Sequence, residues 1–137
     1  MLNPEIIRRR LEKVDEYLNV LDGLRHYSLA EFLASPERYG SAERFLQLAI
    51  EALLDAGSHV IAALELGAIE TYSDIPRILA ENGYVASDLS ERWIRIVGFR
   101  NILVHEYLDI DREVVHEVLQ HQLRDLRTLK HALAQFV

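Results

Sequence analysis

Apolar residues recur along the chain at alternating steps of three and four, which puts them on one face of an α-helix. Ile7, Leu11, Val14, Leu18 and Leu21 form the first stripe. Asn3 before Pro4 offers an N-cap with proline at the first helical position, and Gly23 offers a stop, so a helix is expected to about Asp22. Ser28 is expected to cap a short helix over Leu29 to Ala34, which Ser35-Pro36 breaks. The longest stripe is Leu46, Ile50, Leu53, Gly57, Val60, Ile61 and Leu64. It predicts a helix from about Glu43 to Leu66, stopped by Gly67, in which Gly57 lets another backbone come close. Ser73 or Asp74 caps a second short helix that takes Pro76 in its first turn and ends at Asn82-Gly83. Ser87 or Ser90 opens a long helix through Arg100. Asp109 or Asp111 opens a last one to about Gln135, with Val115, Val118, Leu119, Leu126, Leu129, Leu133 and Phe136 as its stripe. No period-two strand is found. The pattern predicts an all-α, up-and-down helical bundle of four long helices and two short ones. Leu48, Leu66, Ile94 and Ile102 are apolar beyond a single stripe, and this surplus predicts a homodimer.

Composition narrows the chemistry. The 137 residues suit a single domain over 1–137, with half of them apolar. There is no cysteine, so disulfides, thiolate nucleophiles and thiolate metal sites are all excluded. The basic run Arg8-Arg9-Arg10 follows a short apolar piece, which is not a signal-peptide order. No unbroken apolar run approaches the ~18 residues that span a bilayer. A soluble, cytoplasmic protein without a membrane partner is expected. The formal net charge of −7 is a poor starting point for a nucleic-acid binder. Action on RNA would require a local basic patch or a helping partner. The cluster Arg8, Arg9, Arg10 and Lys13 reads either as a solvated face or as a phosphate contact.

The stretch from Gly98 to Asp111 carries the unusual residues. With Trp93 as zero and roughly 100° per residue, Ile96, Val97, Phe99, Leu103 and Val104 form one broad apolar face. Arg100 falls in its middle, at about 340°, while Asn101 and His105 fall at its border, near 80° and 120°. An arginine centred on an apolar face is costly unless its charge is paired or used. It either snorkels or bridges to a carboxylate such as Asp55, or it serves a site. Asn101 lies four residues before His105 and is placed to orient the imidazole. Arg100 and His105 are five apart, roughly 140° around the helix, so a distorted helix end or a second copy of the chain is needed to bring them together. Tyr107 is expected beside the site with its hydroxyl in solvent.

Arginine offers a fixed fork for phosphate oxygens, and histidine moves protons near neutral pH. Together they suit metal-independent transesterification of RNA, in which the 2′-hydroxyl is the nucleophile. No metal and no cofactor are expected. On the long middle helix Glu51, Asp55 and His59 stack at steps of four. Asp55 with His59 reads as a metal pair, an acid–base pair, or an ordinary exposed or interface pair. Two ligands without a third are a weak metal signal. Glu51 and Asp55 remain candidates for standing behind the site. His26, His116, His121 and His131 have no such pairing and default to surface or core-edge roles.

The motif Arg100-Asn101-x3-His105-x-Tyr107 resembles that of the HEPN superfamily, specifically the HepT-like ribonuclease toxins. Arg44 to Glu51 and Asp55 in the middle helix, Gly98-Phe99 before the arginine and Leu108-Asp109-Ile110-Asp111 after the tyrosine are similar too, so the likeness covers nearly the whole chain. It implies a homodimer whose Arg100 and His105 sites meet at the interface. It further implies a metal-independent endoribonuclease, with tRNA one kind of target. The partner it implies is a minimal nucleotidyltransferase antitoxin (MntA-like) that transfers AMP to Tyr107. In this reading His105 is the general acid/base, Arg100 the phosphate clamp and Asn101 the supporting group. Two rivals differ in class: a non-catalytic helical module that binds a nucleotide or the nucleotidyltransferase partner, and a structural dimer with Arg100 in a buried ion pair.

Overall fold

A computed structural model describes all 137 residues, Met1–Val137. The elements are α1 (Pro4–Leu24), α2 (Leu29–Leu33), α3 (Pro36–Ala63), α4 (Asp74–Glu81), α5 (Ser87–His105), α6 (Arg112–His121) and α7 (Leu123–Leu133), closed by a 3-10 turn over Ala134–Phe136. There is no strand.

Several ends follow directly from the local chemistry. Asn3 caps α1 by accepting from the Glu5 amide at 3.1 Å. Ser28 and Glu31 exchange bonds as a capping box at the start of α2. Asp111 caps α6 by accepting from the Glu113 amide. Three ends differ from the sequence expectation. Pro36 does not merely break α2. With Ser35 as cap it opens α3, which therefore starts seven residues before Glu43. At its other end α3 closes at Ala63, where Glu65 takes a left-handed φ of 52°. The last helix is not continuous: the backbone bends at Gln122 (φ −112°, ψ −1°) and divides it into α6 and α7. The expected four long and two short helices thus become seven, with α6 and α7 sharing the fourth long path.

Thirty-four buried apolar residues form one cluster, to which every predicted stripe contributes. Helix α3 runs through its centre, packed on α1, α4, α5, α6 and α7. By length and composition α3 would suffice to cross a bilayer, although no unbroken apolar run announced it. More than half of that apolar window is buried inside the bundle. Gly57 does admit a close approach, but by side chains rather than a backbone. A Cβ there would stand 2.7 Å from Ile75 Cγ2 and 3.2 Å from Trp93 Cη2. Ile94 and Ile102 remain exposed, whereas Leu48 and Leu66 are half-buried.

After α5 the chain turns through Glu106 to Ile110 and re-enters the core. Ile110 is buried, and Arg112 stacks on the Tyr39 ring at 4.1 Å with Glu43 3.4 Å from its Nε. Burial pushes the Glu43 carboxyl above its ordinary value, against the opposing pull of Arg112. This anchor fixes where α6 begins and thereby holds the exposed turn that carries Tyr107.

Candidate active site

Arg100 emerges from α5 between α3 and the loop that precedes α4. Its side chain is only 11% exposed. Two of its nitrogens, Nε and Nη2, donate to a single oxygen, Glu51 Oε2, at 2.8 and 2.7 Å. Nη1 donates to Asn101 Oδ1 at 3.2 Å. The Tyr72 ring lies against the guanidinium, 4.7 Å from centroid to Cζ. Gln47, one turn before Glu51, donates its amide to the same Oε2 at 3.2 Å. An arginine so placed is neutralised, hydrogen-bonded and stacked, which offsets the cost of removing it from water.

The sequence singled out Arg100 as the anomaly, and the structure shows what supports it. The carboxylate is Glu51 rather than Asp55, one helical turn further along α3. Asp55 instead faces Arg10 of α1 at 3.9 Å. Its carboxyl lies above the ordinary value through burial first, with Arg10 lowering it and the charge of Glu51 raising it. His59 accepts the backbone N–H of Asn3 at 3.3 Å through Nε2 and so ties the start of α1 to α3. Asp55 and His59 form no pair, and no three His, Asp or Glu side chains converge as a metal set.

Asn101 also departs from expectation: its amide oxygen serves Arg100, and it makes no bond to His105. His105 is the last residue of α5, is exposed, and has no hydrogen-bond partner in the chain. Five residues along a helix amount to roughly 7.5 Å of rise and 140° of rotation. Arg100 and His105 therefore do not meet within one copy. Tyr107 follows on the turn, 64% exposed, with Leu108 81% exposed beside it.

Tyr72 and Gln47 were missed by the sequence reading. Gln47 had a signal, since it stands four before Glu51 on α3. Tyr72 sits in an irregular loop, where no periodicity points to it. Asp74 holds that loop by accepting from the amides of Glu70 and Thr71 at 2.9 and 3.0 Å. These bonds and the Arg77 guanidinium, whose hydrogen bond is the largest contribution, lower the Asp74 carboxyl to about 2.

A helical bundle that presents a clamped arginine, an unpartnered histidine and an exposed tyrosine in R-x4-H-x-Y order belongs with helical ribonucleases. The match to the HepT-like ribonucleases runs over residues 7–133, and the chain belongs to that family. The tRNA nuclease HepT of Aphanizomenon flos-aquae (strain 2012/KM1/D3) is 32% identical over 125 residues, covering 90% of this chain and 84% of that protein. The mRNA nuclease HepT of Shewanella oneidensis is 35% identical over 80 residues, covering 58% of this chain and 60% of that one. In three dimensions the chain is similar to the tri-AMPylated Shewanella oneidensis HEPN toxin in complex with MNT antitoxin. The TM-score is 0.87 at 25% identity, covering 95% of this chain and 97% of that one.

Proposed function

We propose that this chain is the toxin of a toxin–antitoxin pair, a single HEPN domain that cleaves RNA without a metal at a site shared by two copies. The observation that carries this reading is the Arg100–Glu51 clamp one and a half turns before the unpartnered His105. Arginine has five N–H donors. Glu51 takes two and Asn101 one, so two remain for a phosphate oxygen.

His105 takes the proton of the RNA 2′-hydroxyl as its oxygen attacks the phosphorus. The bond from phosphorus to the 5′-oxygen breaks, a protonated imidazole supplies the leaving oxygen with its proton, and the products are a 2′,3′-cyclic phosphate and a 5′-hydroxyl. Arg100 stabilises the extra negative charge of the phosphorane. Pairing through the exposed Ile94 and Ile102 would bring a second α5 alongside the first, so that the histidine of one copy serves the arginine of the other.

The partner is a minimal nucleotidyltransferase antitoxin of the MntA kind. Tyr107 Oη attacks the α-phosphorus of ATP and pyrophosphate leaves, which places AMP on the turn beside the site. The added anion repels the RNA backbone and fills its path. The relatives' names support RNA as the substrate, with tRNA as the first to test.

The test is cleavage of tRNA and mRNA in EDTA by purified protein. Cyclic phosphate ends are expected, and they should disappear in Arg100→Ala and His105→Ala. Intact RNA with the unmodified wild type would overturn the ribonuclease reading in favour of a non-catalytic binding module. Mass additions of AMP units on co-expression with the nucleotidyltransferase, absent in Tyr107→Phe, test the regulatory half.

A further inference from the structure

Where α6 gives way to α7, a cavity of about 410 Å3 opens between the end of α1 and the bend at Gln122. Arg25, Arg124, Arg127, His121, Gln120 and Leu123 line it, and Leu123 alone is apolar. The cavity is built rather than incidental. Arg25 Nη2 donates to the Gln120 carbonyl at 3.1 Å, and Gln120 Nε2 donates back to the Arg25 carbonyl at 3.0 Å. This reciprocal clasp fixes the end of α1 against α6.

The charges do not cancel. Arg25 and Arg127 share one carboxylate, that of Asp22, the first at 3.8 Å and the second in direct hydrogen bond. His121 leans to Glu117 at 3.5 Å. Arg124 has no carboxylate partner and is exposed. Three guanidiniums against one shared acid leave an excess of positive charge on a chain whose net charge is −7. Forks of N–H donors with a single apolar residue among them match the oxygens of a phosphodiester. A protein partner would need an apolar core that this cavity does not offer.

The cavity shares no residue with the candidate active site: the end of α1, α6 and α7 line it, whereas Arg100 and Glu51 face each other between α5 and α3. We propose that this cavity anchors a backbone phosphate of the RNA substrate away from the bond that is cut. The inference rests on the ribonuclease reading for the identity of the anion. It supplies the local basic patch that an acidic chain requires to hold RNA at all.

The test measures binding of a fluorescein-labelled RNA to the full chain carrying His105→Ala, so that the RNA stays intact, across a range of salt. The Arg124 side chain makes no hydrogen bond or ion pair, its carbonyl alone accepting from Thr128 Oγ1, and Arg124→Ala should keep the thermal midpoint. Its dissociation constant should rise about three- to tenfold, and the slope of log K against log salt should shrink by about one. Arg124→Glu should weaken binding further. Unchanged affinity and slope in both variants would overturn the anchor, whether or not the wild type cleaves RNA. Loss of antitoxin binding in Arg124→Glu with RNA binding intact would also overturn it, and would assign the cavity to a protein. Binding that depends on Arg124 in a protein that never cleaves RNA would keep the anchor and sink the catalytic reading instead.

Discussion

Arg100 sets two of its nitrogens on one oxygen of Glu51, at 2.8 and 2.7 Å, across the seam between α5 and α3. Both hydrogen bonds are charge-assisted, and both carry the guanidinium in a fixed plane. The other Glu51 oxygen receives none of the bonds from Arg100 or Gln47. The pair therefore works as a hinge pin for the arginine more than as a neutral plug.

Glu51→Gln keeps the shape but removes the charge. Stability should fall by about 1–3 kcal/mol, because a largely buried guanidinium loses its counter-ion while keeping part of its hydrogen bonding. RNA cleavage should fall with it as Arg100 loses its fixed plane. Urea unfolding and cleavage rate, measured on the same preparation, check both.

Arg100→Lys separates charge from geometry. Lysine supplies a point charge without the fork, so it cannot give two donors to Glu51 and keep others aimed in a fixed direction at a phosphate. Cleavage at saturating RNA should drop about 10²–10³-fold. A lysine variant within threefold of wild type would show that the fork is dispensable.

Gly57→Ala tests the packing behind the site. The added methyl meets Ile75 at 2.7 Å and Trp93 at 3.2 Å. Overpacking of this kind costs about 1–3 kcal/mol. The urea midpoint should shift down with an unchanged slope.

Asp74 should make the Tyr72 loop acid-sensitive only at very low pH. Its folded value is about 2, below the ordinary 3.8. A lowered carboxyl contributes stability that is complete above 3.8 and is lost as pH falls through about 2. Amide exchange at Glu70 and Thr71 should stay protected at pH 4 and open near pH 2. Asp74→Ala, which removes the acceptor, should leave them open at every pH.

Asp55 carries the opposite sign. Its carboxyl is raised, so the folded chain disfavours its charge even though much of the side chain reaches solvent. The wild type should gain stability relative to Asp55→Asn as pH falls through that raised value and past 3.8. At neutral pH the asparagine variant should unfold at higher urea, and the two curves should merge in acid.

Stripes and caps made the helices legible, because burial and capping are local to each element. Ser35-Pro36 shows the limit of that reading: the dipeptide that breaks α2 also starts α3, with Ser35 as cap and Pro36 in the first turn. The bend at Gln122 has no glycine or proline to announce it. Arg100 was legible as a misplaced charge and Glu51 as one of two carboxylates behind it, but which of the two it takes was not. Choosing Glu51 over Asp55 needs the register of α5 against α3, which is a long-range quantity. Tyr72 arrives from a loop whose path depends on Asp74, and no pattern within the loop encodes where its ring lands.

Tyr107 stands on the turn after α5, past the last helical residue and ahead of the Arg112 anchor. A group added to its hydroxyl therefore strains no helix and disturbs no core contact. Under the proposed regulation, AMP on Tyr107 would act on a chain that has already folded, and the bundle would keep its packing in both forms.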